Sequence, residues 1–210
     1  MSLLTLPFDV PQTPLPERSE ALVADGEQRI SDYLGARRGG GAGGFGGGGG
    51  AFVPADYRRV YTGLTTIYDA GLAPTEQFCE WGSGFGVVAA LAAQLGFEAC
   101  GIELERDLVP EAEDFVAEHE LDVPFAHGSF IPESAEHLAD VQDDLATLGR
   151  GVADGYEELG LDPDDFGLIY AYPWPGEEEV IEQIFHAVAA RGALLLTYRS
   201  TEDLVLQRKQ

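Results

Sequence analysis

The residues whose types and spacing could do chemistry lie between positions 78 and 103. They read Phe78-Cys79-Glu80-Trp81-Gly82-Ser83-Gly84-Phe85-Gly86, an Ala/Val-rich segment to Leu95, then Gly96-Phe97-Glu98-Ala99-Cys100-Gly101-Ile102-Glu103. The pattern predicts strand, glycine turn, helix and strand, with an acid at the end of each strand. In a parallel sheet this sets the glycines and both carboxylates at the strands' carboxyl edge, where open α/β folds take their ligands. A nucleoside-containing ligand is the chemistry to expect there.

The rest of the chain must hold that edge in place. Pro7, Pro11, Pro14 and Pro16 keep the first segment extended, because proline fixes its own φ and biases its predecessor away from helix. A helix is predicted over residues 17–34, then an almost pure glycine tract over 39–50 that reads as a mobile linker. That tract lacks the strand before it and the Lys-Ser/Thr after it that a P-loop needs. Pro54 and Asp56 are helix-start chemistry, followed by Tyr57, Val60, Tyr61, Leu64, Ile67 and Tyr68 at helical spacing. This helix precedes the first strand, so Tyr57 could lie across the ligand.

Beyond the glycine turn come a helix over 110–119, a short strand and the turn leaving it over 125–130, and an acidic, helix-prone stretch over 133–159 with Leu138, Val141, Leu145 and Leu148 on one face. A buried strand over 166–171, a helix over 177–190, an apolar strand over 193–198 and one more strand over 203–208 complete the order. Strand and helix alternate, so the expected class is α/β: a three-layer Rossmann-like sheet with helices on both faces. The expected organisation is an extended segment and helix over 1–38, the linker over 39–50 and a ligand-binding domain over 51–210.

Composition narrows the partners. The formal charge is −25 and Lys209 is the single lysine. Such a field repels a phosphate backbone, which disfavours nucleic acid, and attracts a basic peptide, a cationic small molecule or a cationic cofactor. An acid-rich surface that serves only solubility is the alternative. Cys79 and Cys100 read as small core residues with no disulfide framework. The first residues lack a basic region and a long apolar run, and no apolar stretch reaches spanning length, so a cytoplasmic protein without a membrane segment is expected. His119, His127, His137 and His186 have no metal-ligand spacing, and no metal is expected; His127, nearest the site edge, is the histidine to consider as a base.

Glycine spacing separates two cofactors. A dinucleotide turn reads G-x-G-x-x-G, whereas here Val87 stands where its third glycine would be. The E-x-G-x-G-x-G pattern of Glu80, Gly82, Gly84 and Gly86 instead resembles class I S-adenosylmethionine-dependent methyltransferases, over roughly residues 52–198. The resemblance implies that Glu80 sits beneath the cofactor's amino acid end and that the backbone of Gly82, Ser83, Gly84 and Gly86 approaches the cofactor. It also implies that Glu103, after Gly101-Ile102, holds both ribose hydroxyls, a task suited to a carboxylate's two acceptor oxygens. Many family members carry an acid after the third strand to accept from the adenine amino group. This chain has Gly128-Ser129 there, so Ser129 is the candidate, with Glu105 and Asp107 as nearby polar alternatives. The family's sheet usually ends in a hairpin of two strands; this tail has room for one, and a truncated hairpin is expected.

The family positions its acceptor after the fourth strand, here Ala171-Tyr172-Pro173-Trp174-Pro175. The segment is similar to the Asp/Asn-Pro-Pro-aromatic motif of amino-group methyltransferases acting on nucleobases, but Ala171 and Tyr172 replace the polar residue that grips the amino group. Tyr172 and Trp174 could line an aromatic channel for a lysine or another amine, or pack against the following helix. Phe52-Val53-Pro54 and Gly101-Ile102-Glu103 loosely resemble small lysine N-methyltransferases of the same class. The implied activity is methyl transfer to an undetermined acceptor, a basic protein segment or amine sooner than nucleic acid. The alternative is a non-catalytic cofactor-binding or interaction module with the same fold.

Overall fold

The computed structural model describes residues 2–11, 13–39, 53–139, 153–199 and 203–210. The expected glycine linker, apart from its first residue, lies outside the described residues, as do Phe52 and residues 140–152 of the acidic stretch, with Val141, Leu145 and Leu148. The elements are β1 (Leu3–Thr5), α1 (Glu17–Gly39), α2 (Tyr57–Asp69), β2 (Gln77–Trp81), α3 (Val87–Leu95), β3 (Glu98–Glu103), α4 (Leu108–Glu118) and β4 (Phe125–His127). A 3-10 turn (Glu133–Ala135) leads to α5 (Glu136–Ala139), α6 (Gly155–Leu159), β5 (Leu168–Ala171), α7 (Glu178–Val188), β6 (Leu194–Tyr198) and β7 (Leu204–Lys209).

Local chemistry explains the boundaries. After Pro16, Glu17 and Glu20 occupy the first turn of α1, where the helix dipole favours acids. Asp56 caps α2 by accepting from the Arg59 backbone N–H at 3.1 Å. Helix α3 carries no charge and its N-cap residue, Gly86, has no side chain to cap it; glycines 86 and 96, both at positive φ, flank it, and its residues from Val87 to Ala92 are all buried. Pro110 falls in the first turn of α4, where its missing N–H is no loss.

The strands form one seven-stranded sheet in the order β1-β7-β6-β5-β2-β3-β4. Pairing is parallel from β4 through β6, and β7 is antiparallel to both of its neighbours. This is the three-layer α/β arrangement that the alternation of elements predicts. Helices α1 to α4 cover one face around Phe78, Leu168, Leu194 and Leu196. Residues of α5, α6 and α7 cover the other around Cys79, Cys100, Ile169 and Leu195. The chain enters the parallel part at β2, runs outward to β4, then returns to the other side of β2 with β5 and β6. The reversal puts a topological switch point at the carboxyl ends of β2 and β5, the place where open α/β sheets bind ligands.

Among the described residues β7 follows β6, and the strand on the outer side of β7 comes from the N-terminal segment. Leu3, Leu4 and Thr5 pair with Lys209, Arg208 and Gln207, and the Leu6 N–H donates to the Leu206 carbonyl at 2.9 Å. Leu3 packs against one apolar core and Leu6 against the other. Deleting residues 2–5 removes this edge pairing and half-buried leucine surface. It should cost about 2 kcal/mol, a fall in Tm of roughly 4–8 °C for a chain of this size, read by thermal unfolding followed by circular dichroism.

Candidate functional site

The turn after β2 is hooked onto β3: the Gly82 and Ser83 N–H groups both donate to the Ile102 carbonyl, at 2.9 and 3.1 Å. Gly82, Gly84 and Gly86 have φ of 71°, 53° and 71°, a left-handed conformation that side chains rarely tolerate. The three do not share one reason for being glycine. A Cβ on Gly82 would meet nothing within 4 Å, whereas one on Gly86 would lie 2.4 Å from Phe125 Cζ. Gly82 thus presents bare backbone to open space, and Gly86 makes room for a core ring. Gly101 is in the same position as Gly86, since its Cβ would stand 2.6 Å from Phe125 Cδ1 and 2.7 Å from Ser83 Cβ. Ser83 is buried, and its Oγ has no hydrogen-bond partner among the described residues.

Both acids are buried at this turn, 5% exposed for Glu80 and 7% for Glu103, which polar side chains tolerate only with partners. Glu80 reaches from β2 to the first turn of α3, where Oε2 accepts from the Ala89 N–H at 2.8 Å. It supplies the cap that Gly86 cannot. Burial pushes its carboxyl well above its ordinary value of 4.5, against the Ala89 bond and with the charge of Glu103. Glu103, the last residue of β3, accepts from the Gly84 N–H on Oε2 at 2.7 Å and from the Glu105 N–H on Oε1 at 2.8 Å. Burial raises its pKa too, opposed by the bonds from Glu105 and Gly84. The Leu104 N–H donates to it as well, so the carboxylate keeps acceptor capacity beyond three backbone bonds, and its position is set by both loops that flank it.

Glu80 pairs in register with Gly101 on β3. One strand spacing and two residues of rise therefore separate the Cα atoms of the two acids, roughly 8 Å. Across β2 and β5, Glu80 is the Cα partner of Tyr170. Tyr170 is 2% exposed, and its hydroxyl has no hydrogen-bond partner among the described residues. Burial drives its pKa well up, and the charges of Glu80, Tyr57, Tyr172 and Tyr198 push the same way. Tyr57, the first residue of α2, is raised by burial first, then by Glu80, Glu27 and Tyr172. Tyr172 meets Tyr198 edge-on with ring centroids 5.0 Å apart. Tyr57 and Tyr170 thus flank Glu80 at the switch point, and the Tyr172–Tyr198 pair stands next to Tyr170.

The other expected site residues fall elsewhere. Trp174 is half-buried in a turn closed by its own N–H donating to Glu177 Oε2 at 3.1 Å; among the described residues no ring contact joins it to Tyr172. Ser129 is buried, and its Oγ accepts from the Ile131 N–H at 3.0 Å. A parallel bridge sets Ser129 beside Asp154, whose carboxylate caps α6 through the Tyr156 N–H at 2.9 Å. His127 is the Cα partner of Glu103. A cavity of about 680 Å³ lies on the Asp154 side of the Ser129–Asp154 bridge, lined by residues including Pro132, Asp154, Tyr156, Asp162 and Val188, and none of Glu80, Glu103, Tyr170 and Tyr172 lines it. Among the described residues there is no His/Cys/Asp/Glu group able to hold a metal and no helix long and apolar enough to cross a membrane.

Sequence reasoning missed Tyr170 and Asp154. A tyrosine inside the apolar run Leu168-Ile169-Tyr170-Ala171 is a signal in itself, because a buried phenol needs a partner. Asp154 had only the local Asp-Gly helix start to mark it, and nothing to link it with Ser129.

No protein-family model matches the chain, and no curated protein matches it. Among solved structures it is similar to an RNA methyltransferase from Salinibacter ruber in complex with S-adenosyl-L-homocysteine, at 18% identity and a TM-score of 0.49, over 75% of this chain and 92% of that one. A hypothetical protein of Thermus thermophilus is similar at 16% identity and a TM-score of 0.48, over 80% and 97%. A SAM-dependent methyltransferase from Thiobacillus denitrificans in complex with S-adenosyl-L-homocysteine is similar at 17% identity and a TM-score of 0.40; the chain spans 46% of its length. The α/β assignment stands on the chain's own strand order and register.

Two contrasts test the site's construction. Gly82→Ala should cost about 1–2 kcal/mol from backbone strain alone, while Gly86→Ala adds overlap with Phe125 and should cost about 1–3 kcal/mol more, both read from urea unfolding. Glu80 supplies the second. Its folded pKa lies above 4.5, so as pH rises the unfolded chain releases this proton first. The residue's contribution to stability is greatest below that pH and declines toward the folded pKa. Glu80→Gln removes the decline, so its unfolding free energy relative to the parent should rise between about pH 4.5 and neutrality.

Proposed function

We propose that the chain is an S-adenosylmethionine-dependent methyltransferase whose acceptor is an amine. The observation that carries this reading is the Glu103 carboxylate, held by the Gly84 and Glu105 amides at the strands' carboxyl edge with acceptor capacity to spare. Beside it, the bare backbone of Gly82 and the unpartnered Ser83 Oγ fit a ligand lying along the turn. Glu103 would take the ribose hydroxyls, and Glu80 would face the ammonium of the amino acid end. The roughly 8 Å between their Cα atoms suits a ligand whose sugar and ammonium are separated by a short chain.

When bound, the cofactor supplies an electrophilic methyl group on a sulfonium. The protein's work is then to align and desolvate the acceptor. Tyr57 and Tyr170 keep their protons, because burial raises both pKa values. They serve as neutral hydrogen-bonding groups and not as bases. Tyr172 and Trp174, at the exit of β5, would line the acceptor's approach. Aromatic faces suit a cation, and the net charge of −25 favours a basic protein segment or small amine over nucleic acid. The resemblance to lysine N-methyltransferases points the same way. The β1 pairing gives β7 a second neighbour and completes a seven-stranded sheet, which favours the catalytic reading over a non-catalytic module.

Calorimetry with S-adenosylmethionine should detect binding to the purified chain. Glu103→Ala should weaken it by about 2–3 kcal/mol, roughly 30- to 150-fold. Failure of the cofactor-free parent to bind would overturn the reading. Labelled cofactor incubated with cell extract should pass its label to an amine-bearing acceptor, and binding without transfer would leave the non-catalytic module.

A further inference from the structure

We infer that the Tyr170 hydroxyl is a specificity-determining contact for the amino acid end of the cofactor, an inference that rests on the methyltransferase reading. Tyr170 stands beside Glu80 in register across β2 and β5, at the sheet's switch point. It is buried in a strand whose other residues, Leu168, Ile169 and Ala171, are all apolar. Phenylalanine would fill that place without leaving a hydroxyl to satisfy, yet the hydroxyl is there and meets no partner among the described residues. A buried donor left unpaired is destabilising, so its presence is accounted for by a group that it meets only in the bound state.

The surroundings define that group. Glu80 offers a buried carboxyl group whose ionised form calls for a cation, while Tyr170 and Tyr57 offer neutral O–H donors, which suit an anionic oxygen. Together they match a zwitterion: an ammonium over Glu80 and a carboxylate against the phenols. The amino acid end of the cofactor carries both charges on one carbon. Tyr57, the first residue of α2, stands near enough to feel the Glu80 charge, and the Tyr172–Tyr198 contact lies next to Tyr170. A nucleoside thioether without the amino acid would reach Glu103 and leave this cluster unused.

The test compares two ligands by calorimetry, S-adenosylhomocysteine and 5′-methylthioadenosine, which lacks the amino acid end. Tyr170→Phe should bind the first about tenfold more weakly than the parent does, bind the second unchanged, and unfold at the same or a higher temperature. The combination of retained stability with selective loss is what a packing role would not give. Unchanged affinity for S-adenosylhomocysteine, or equal weakening of both ligands, would overturn the inference while leaving the methyltransferase reading intact. Absence of S-adenosylhomocysteine binding by the parent would overturn that reading, and this inference with it.

Discussion

Burying two carboxylates under one glycine turn is the constraint on which the rest of the structure depends. Glu80 and Glu103 repel each other in a region of low polarity, and the bonds that hold them come from backbone N–H groups, those of Ala89, Gly84, Leu104 and Glu105. Those donors exist only if α3 begins where it does and the turn folds back onto β3. The positive φ of three glycines makes that turn possible. Phe125 and Ser83 then press on Gly101 from above, which is why a residue in mid-strand is also glycine. Even α1 conforms: a Cβ on Gly26 would stand 2.7 Å from Val87 Cγ2, so the small residue lets that helix cross close to the start of α3.

Much of this was legible in the sequence because it is local. Alternating glycines between an apolar run and an Ala/Val-rich segment can form little except a strand-turn-helix unit; Glu103 ends β3 as the pattern predicts, and Glu80 stands one residue before the end of β2. Element types through the parallel region follow from periodicity and turn residues alone. Pairing that depends on distant segments was not legible. Nothing in Leu3-Leu4-Thr5 says that it will pair with β7, since three residues carry no register signal. The same holds for Tyr170, whose role rests on standing opposite Glu80, ninety residues earlier in the chain. Proline-rich composition led to an extended segment in the right place, without the partner that makes it a strand.

The aromatic pairing was half legible. Tyr172 and Trp174 both looked like acceptor residues because they flank Pro173 at the end of a strand. In the fold, alternation separates their environments: Tyr172 joins Tyr198 and the Glu80 cluster, and Trp174 sits in the turn that starts α7. A period of two residues puts both side chains on one face only while the strand continues, and the strand stops at Ala171.

The pairing of β1 with β7 has a consequence for how the chain acquires its structure. It joins the most distant segments of the described sequence, and the entropy of closing a loop rises with its length. Contacts of this range form late and slow the folding of sheets that depend on them. Until β1 arrives, β7 is an open edge with unpaired N–H and C=O groups, able to accept a strand from another molecule. The charge of −25 acts at that stage. Mutual repulsion between unfinished chains keeps them apart during the interval in which the sheet is incomplete.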